Sequence, residues 1–287
     1  MNQTFDMDAL RTMITGVELG SFSRAANHLG RSQSAISMQL KKLEEQTGEK
    51  LFVRKGRGLE PTEPGEALLS YARRIIALND EAAAALGTAV NRTTVRLGLP
   101  QDYFEDLLPA LMDRFSRLRP GVHLEVRAGR NHMFEEEVLT GRLDAAIAFF
   151  EHGVQRQGTH IADLPLHWYG AKGMKGPAED ILPLVMYDHP CLFRKTALQA
   201  LDQAGRKWRL ALTTPSLPGV WGALRGGQGI SVRTGKCVPD GIADIGRRCA
   251  LPDLPPVELR MLSAHGPSAA ASDLCDTVRA VAQEMAV

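Results

Sequence analysis

SFSRAANHLGRSQSAISMQLKKLEE, residues 21–45, decides the fold of the first part of the chain. Ser23 reads as the N-cap of a short helix whose Ala25, Ala26 and Leu29 face inward, since a serine oxygen accepts from a first-turn N–H. The Ala-Ala pair lets a second helix approach closely. Gly30 breaks the helix and supplies a tight turn. Ser32 caps the next helix, where Ile36, Leu40 and Leu43 fall at i, i+4 and i+7 as one apolar stripe. Its other face carries Gln33, Ser34, Ser37, Met38 and Lys41. A short helix, a glycine turn and a second helix with a polar outer face form the helix-turn-helix pattern.

The side chains on that face suit duplex DNA. Gln pairs in bidentate fashion with adenine, and Ser donates to or accepts from any base edge. Arg24, Arg31, Lys41 and Lys42 flank the face, where basic groups neutralise phosphates and set the register. From Arg24 to Arg57 eight basic residues stand against Glu44, Glu45 and Glu49. The chain as a whole carries a formal charge of only +1, so any electrostatic footprint is local to this segment.

Upstream, Leu10, Met13, Ile14 and Val17 form one stripe of a helix over about residues 8–19. Downstream, Leu51-Phe52-Val53-Arg54 reads as a strand, Lys55-Gly56-Arg57-Gly58 as a basic tip, and Leu59-Glu60-Pro61 as the return. A basic hairpin after a recognition helix is a wing, placed to reach phosphates or a minor groove through Arg54 and Arg57. Thr62 then caps a long helix, about residues 63–90, with Leu68, Tyr71, Ala72, Ile75, Ala82 and Leu86 on its apolar side. A helix this long on so small a domain needs a partner for its stripe. A second copy of the chain serves, and a dimer presents two recognition helices to two half-sites.

The 287 residues, 44% hydrophobic and 23% charged, fit two ordinary globular domains. No apolar run reaches the roughly 18 residues of a membrane span, and Met1 to Asp8 lacks the basic start and apolar core of a secretory signal. A cytoplasmic protein is expected. Cys191, Cys237, Cys249 and Cys275 include no C-x-x-C pair and read as free thiols.

After a hinge at Asn91-Arg92-Thr93-Thr94, strand, helix, strand, helix and strand follow: Thr94–Leu99, Leu107 to Phe115, Val122–Val126, Phe134–Leu139 and Ala145–Phe149. That order argues for a parallel sheet. Leu182–Met186 and Arg209–Thr213 read as strands around a helix at Ala197–Ala204. Glu258–Leu262 is a further strand, and Ser272–Met285 a final amphipathic helix. Two α/β subdomains with a late return resemble a periplasmic-binding-protein-like fold. The whole reads as a winged helix-turn-helix at residues 5–62, a linker and dimerisation helix at 63–91, and a regulatory domain at 92–287.

Ser21-Phe22-Ser23-Arg24-Ala25-Ala26, Leu29, Ser32-Gln33-Ser34-Ala35-Ile36-Ser37, Leu40-x-x-Leu43-Glu44, Gly48-x-x-Leu51-Phe52-x-Arg54 and Pro61-Thr62-x-x-Gly65 together resemble the LysR-type transcriptional regulators. Leu107-Leu108-Pro109, Arg119-Pro120 and Gly141-x-Leu143-Asp144-x-Ala146-Ile147 extend the resemblance into the second domain. His167-Trp168-Tyr169, Asp188-x-Pro190-x-x-Phe193-Arg194 and Ser216-Leu217-Pro218 are similar to the proteobacterial branch that represses motility and secreted enzymes. The family often has a polar or basic residue where this chain has Met38, and Ser or Thr where it has Gln101-Asp102.

The resemblance implies a sequence-specific regulator that binds double-stranded promoter DNA, dimerises through its linker helix and assembles further into a tetramer. It also implies a small-molecule effector in the second domain. Carried over by position, the effector residues are Pro100, Gln101 and Asp102 after the first strand, and Arg130 and Asn131 after the second. Phe150 and Glu151 follow the third strand, and Thr213, Thr214, Pro215 and Ser216 come from the second subdomain. Helix-start N–H groups there suit an anionic effector.

No G-x-S-x-G, Walker A, dinucleotide or H-E-x-x-H motif occurs, so no catalytic residue, metal site or cofactor is expected. Gly226-Gly227-Gln228-Gly229 reads as a turn. Two other readings stay open: a redox sensor on the same fold, using Cys237 and Cys249, and a solute-binding α/β protein with an incidental helical N-terminus.

Overall fold

The computed structural model describes residues 4–55, 58–85, 94–129, 131–154, 157–174 and 181–286. Three helices open the chain: α1 (Met7–Glu18), α2 (Phe22–His28) and α3 (Gln33–Thr47). Asp6 caps α1, its carboxylate accepting from Asp8 N–H at 2.9 Å. Ser32 caps α3 as its position in the sequence suggests. The cap of α2 differs. Gly20 takes a left-handed φ of +60°, Ser21 follows in an extended conformation, and Ser21 Oγ accepts from Arg24 N–H at 3.3 Å. The helix therefore starts at Phe22, and Ser23 lies inside its first turn.

Strands β1 (Phe52–Lys55) and β2 (Gly58–Pro61) pair antiparallel as the wing. Arg57 lies outside the described residues. Helix α4 (Glu63–Ala85) follows, and residues 86–91 of the expected linker, Leu86 included, also lie outside them. Leu10, Met13, Ala26, Ile36, Leu43 and Leu51 form one buried cluster with Leu68, Leu69, Ala72 and Ile76 of α4. Of the expected apolar side, Leu68, Ala72 and Ile75 pack into this cluster, while Tyr71 and Ala82 do not. Tyr71 is 60% and Leu78 68% exposed, and Ala82 is exposed as well.

The second domain opens with β3 (Thr94–Leu99), α5 (Leu107–Leu118), β4 (His123–Ala128), α6 (Phe134–Leu139) and β5 (Ala145–Glu151). Strand β3 runs parallel to both β4 and β5, as the order of elements predicts. Strand β6 (Thr159–Leu164) then leads to the second subdomain. That subdomain holds β7 (Leu166–Ala171), β8 (Leu182–Tyr187), α7 (Leu192–Gln203), β9 (Trp208–Thr214), α8 (Leu217–Arg225), β10 (Ser231–Thr234) and β11 (Ile242–Asp244). The chain returns through β12 (Val257–Ser263) and ends in α9 (Ala269–Ala286).

The first sheet has the order β4-β3-β5-β12-β6 and is mixed, because the returning β12 pairs antiparallel with both β5 and β6. In the second subdomain β8 and β9 are parallel, while β7 lies between β10 and β11 with antiparallel pairing. A parallel bridge from Leu184 to Ile230 joins the two groups of strands. The run from Gly226 to Gly229 is a turn, with Gly227 at φ +70°.

Gly65 explains its place in the motif. A Cβ there would sit 2.1 Å from the Leu51 carbonyl oxygen, which also accepts from Thr62 N–H at 3.0 Å. The start of α4 is therefore seated directly on the backbone before the wing. Overpacking of this kind costs about 1–3 kcal/mol. Gly65→Ala is expected to lower unfolding stability by that amount in chemical denaturation, and an unchanged midpoint would show that α4 does not seat on Leu51.

Candidate functional site

The outward face of α3 is polar with one apolar interruption. Gln33, Ser34, Ser37 and Lys41 are exposed, and so is Met38 at 68%, while Ile36, Leu40 and Leu43 are buried beneath them. Thr12 Oγ1 donates to Gln39 Oε1 at 2.6 Å and fixes α3 on α1. Gln33 Nε2 donates to Ser23 Oγ at 2.7 Å. Ser23 is thus the partner of Gln33 across the turn and not a cap. The bond holds the glutamine amide at the N-terminal end of α3 and keeps its oxygen as an acceptor.

Most of the surrounding cations are paired. Arg31 meets Asp8 at 2.6 Å, Lys42 meets Asp6 at 2.7 Å, Lys50 meets Glu44 at 2.7 Å, and Lys55 meets Glu60 at 2.8 Å. Lys41 lies 3.5 Å from Glu45. Exposed pairs of this sort are worth about 0–1 kcal/mol, so a phosphate competes with them readily. Among the described residues Arg24 and Arg54, both exposed, form no ion pair.

A second feature lies between the two α/β subdomains, a cavity of about 730 Å³. Of the residues expected there, Pro100, Gln101, Asp102, Asn131, Phe150, Glu151 and Pro215 line it. Arg130 lies outside the described residues. Thr213, Thr214 and Ser216 do not line it. The turn into α8 uses the last two: Thr214 Oγ1 accepts from Ser216 N–H at 3.3 Å, and Ser216 Oγ caps α8 through Gly219 N–H at 3.4 Å. Asn131 reaches the cavity with its amide already committed, donating to Phe149 O at 2.7 Å and accepting from Phe149 N–H at 2.5 Å.

Gln101 joins the subdomains. Its Oε1 accepts from the Tyr187 hydroxyl at 2.7 Å and from Leu217 N–H at 2.8 Å. Leu217 begins α8, so the helix-start N–H expected to meet an anion is taken by a side-chain carbonyl. At the rim, Lys195 of α7 pairs with Glu151 of β5, a second link between the subdomains.

Sequence reasoning missed Arg233, whose strand β10 it did not recognise. The residue is 3% exposed and lines the cavity, its guanidinium carbon 4.2 Å from the Tyr187 ring centroid and 5.3 Å from that of Phe193. Across the cleft Asp102 is buried, and its Oδ1 has no hydrogen-bond partner among the described residues. Burial pushes its carboxyl above the usual range, and the charge of Arg233 pulls against that shift. Cys237 and Cys249 are poorly suited to redox chemistry: burial and Asp106 push the Cys237 thiol up to about 12, and Cys249 is buried. The thiolate is the reactive form. Elsewhere His152, Asp163 and Glu258 bring ligand atoms within 4.8 Å of one another, with Glu258 also held by Arg260 at 2.7 Å.

Residues 7–66 match the family described as bacterial regulatory helix-turn-helix protein, lysR family, and residues 88–283 match the LysR substrate binding domain. The chain is 35% identical to the HTH-type transcriptional regulator DgdR of Burkholderia cepacia, over 98% of this chain and 96% of that one. It is 31% identical to the HTH-type transcriptional regulator PecT of Dickeya dadantii, over 87% of this chain and 79% of that one. Among solved structures, ArgP of Mycobacterium tuberculosis superposes with a TM-score of 0.74 at 22% identity, covering 97% of this chain and 98% of that chain. These relatives are named regulators, and the matches indicate no catalytic family.

The raised pKa of Asp102 has a consequence for stability. On raising the pH, the unfolded chain loses this proton before the folded chain does, so the folded state loses ground. Wild type relative to Asp102→Asn is therefore expected to lose stability as pH rises above the ordinary carboxylate value of about 4, with little difference in slope below it. Denaturation curves across that range check this; the opposite slope would show that Arg233 outweighs burial.

Proposed function

The chain belongs to the LysR family of transcriptional regulators, and from that premise we propose that it reads a pseudo-palindromic promoter site through paired α3 helices and wings, under the control of a small molecule in the inter-subdomain cavity. The observation that carries the reading is the face of α3: polar and exposed, backed by a buried core, and flanked by Arg24 and Arg54, which form no ion pair among the described residues. Gln33 and Ser37 contact base edges on this reading, and Met38 offers apolar contact to a thymine methyl. Arg24, Arg31, Lys41, Arg54 and Arg57 contact phosphates, with Ser23, Ser32 and Ser34 at the edge of the groove.

Two copies pair through α4, where Tyr71, Leu78 and Ala82 form an exposed stripe in this chain. Assembly of such pairs into a tetramer belongs to the same reading. Among the described residues no helix is long and apolar enough to cross a membrane, and on this reading the protein works on DNA in the cytoplasm. The cavity supports the effector half of the proposal, since its walls come from both subdomains. A ligand that favours one relative placement shifts the population of that state. Coupling of about 1–3 kcal/mol alters promoter affinity about 5- to 150-fold. The Cys237 thiol, pushed up to about 12, favours the cavity over the cysteines as the input.

Binding assays with a specific promoter fragment and random DNA test the interface. Gln33→Ala and Ser37→Ala are each expected to remove about 1–3 kcal/mol of discrimination while sparing random DNA. Equal loss on both DNAs sinks the base-reading role. Arg54→Ala is expected to weaken all sequences alike and reduce the salt slope by about 1.

A further inference from the structure

The cavity holds two opposite charges that do not satisfy each other. Arg233 projects from β10 in the second subdomain, and Asp102 lies just beyond β3 in the first. They are 3% and 5% exposed. Among the described residues, Arg233 Nε and Asp102 Oδ1 are both buried without a hydrogen-bond partner, and Arg233 acts on Asp102 as a nearby charge. Buried charged groups are normally paired and hydrogen-bonded. An arrangement that leaves both short of partners in a cavity of about 730 Å³ is built for an occupant that brings the missing ones.

The walls narrow the choice. Helix α8 has no first N–H to offer, because Gln101 occupies it. Helix α7 begins in the cavity wall, and Cys191 at its N-cap position provides no side-chain cap. Its first turn includes Phe193, whose ring lies 5.3 Å from the Arg233 guanidinium carbon. Helix-start N–H groups that have no acceptor among the described residues and a buried guanidinium therefore favour an anion at the same end of the cavity. The Asp102 carboxyl favours a cation at the opposite wall. Phe149, Phe150, Leu192 and Leu198 line the space between with apolar surface.

We propose that the cavity binds a free α-amino acid with an apolar side chain, its carboxylate on Arg233 and the start of α7, its ammonium on Asp102, and its side chain against Phe149, Phe150 and Leu198. This rests on the effector reading of the cavity and assigns its ligand class. A simple carboxylate leaves Asp102 without a partner, and a simple amine leaves Arg233 without one. A zwitterion satisfies both and spans the subdomains.

The test is calorimetric titration of the full-length chain with matched sets. L-leucine is compared with 4-methylpentanoate, which lacks the ammonium, and 3-methylbutylamine, which lacks the carboxylate. L-phenylalanine is compared with 3-phenylpropanoate and 2-phenylethylamine, and L-valine with 3-methylbutanoate and 2-methylpropylamine. At least one amino acid is expected to bind at least ~30-fold more tightly than either of its truncated partners, since each loses a charge-assisted contact to a buried group. Arg233→Gln is expected to abolish that binding, with retained promoter binding and an unchanged circular dichroism spectrum reporting the fold. Asp102→Asn is expected to weaken the amino acid and leave the deaminated acid no weaker than before, a split that general unfolding does not produce.

A deaminated acid that binds as tightly as its amino acid overturns the proposal, as does the absence of binding by all three amino acids. Promoter-binding assays with a metabolite collection separate that failure from failure of the effector reading. A ligand of another class that shifts promoter affinity in wild type but not in the cavity-filling Leu198→Trp leaves the cavity as the effector site with its class reassigned. If no ligand shifts it, both readings fall.

Discussion

One carbonyl sets the electrical character of the regulatory domain. Gln101 Oε1 takes a hydroxyl donor from Tyr187 and a backbone donor from Leu217, both in the opposite subdomain. This brings the end of β3 against the start of α8 and takes up the Leu217 N–H as a donor. It also anchors Tyr187, whose ring lies beneath the Arg233 guanidinium. The polarity of the cavity, cation on one wall and carboxyl on the other, follows from that contact and from the burial of Asp102 next to it.

The first domain depends on local signals and was correspondingly legible. Caps, left-handed glycines and the 3.6-residue stripe act within a few residues, so α1, α2, α3 and the wing could be placed from sequence. The error at Ser23 is instructive. Two serines stand two residues apart, both chemically able to cap, and the choice is made by Gly20, whose φ of +60° leaves Ser21 as the extended residue. The apolar side of α4 is divided between core and surface for another reason. This helix has apolar residues on two sides, and packing against α1 selected Leu69 and Ile76, leaving Tyr71 and Leu78 outside.

The regulatory domain was legible where topology alone fixes position. Residues just past parallel strands lie at the crevice by construction, and Pro100, Gln101, Asp102, Phe150 and Glu151 were found there. Failures came where non-local geometry decides. The direction of β12 depends on a path through another subdomain, which no local pattern encodes. Strand β10 is four residues long and wholly buried, so it shows no alternation, and its partner β7 lies some sixty residues earlier. Arg233 was hidden with it, and Thr214 and Ser216 were overvalued because their polar atoms serve the turn into α8.

The two domains are not merely strung together. Arg96, in β3, bonds Glu18 of α1 at 2.9 Å, and its backbone N–H is held by Asp144 Oδ2 at 2.7 Å. Arg73 of α4 donates to the Thr140 carbonyl at 3.3 Å, and Glu66 lies 4.0 Å from Arg142. Strand β3 thus has Arg96 against the DNA-binding domain near one end and Asp102 in the cavity just past the other. The first subdomain therefore touches α1, α4 and any ligand held by Asp102, whereas the ligand's other anchor, Arg233, belongs to the second. Closure on a ligand amounts to a displacement between these two bodies, and the body bearing Asp102 is the one in contact with the recognition module. A ligand held only by Arg233 has no comparable purchase on β3. On the proposed reading, engagement of both walls would give an occupant differential affinity for two placements of the subdomains, and differential affinity is what a ligand needs to shift such an equilibrium.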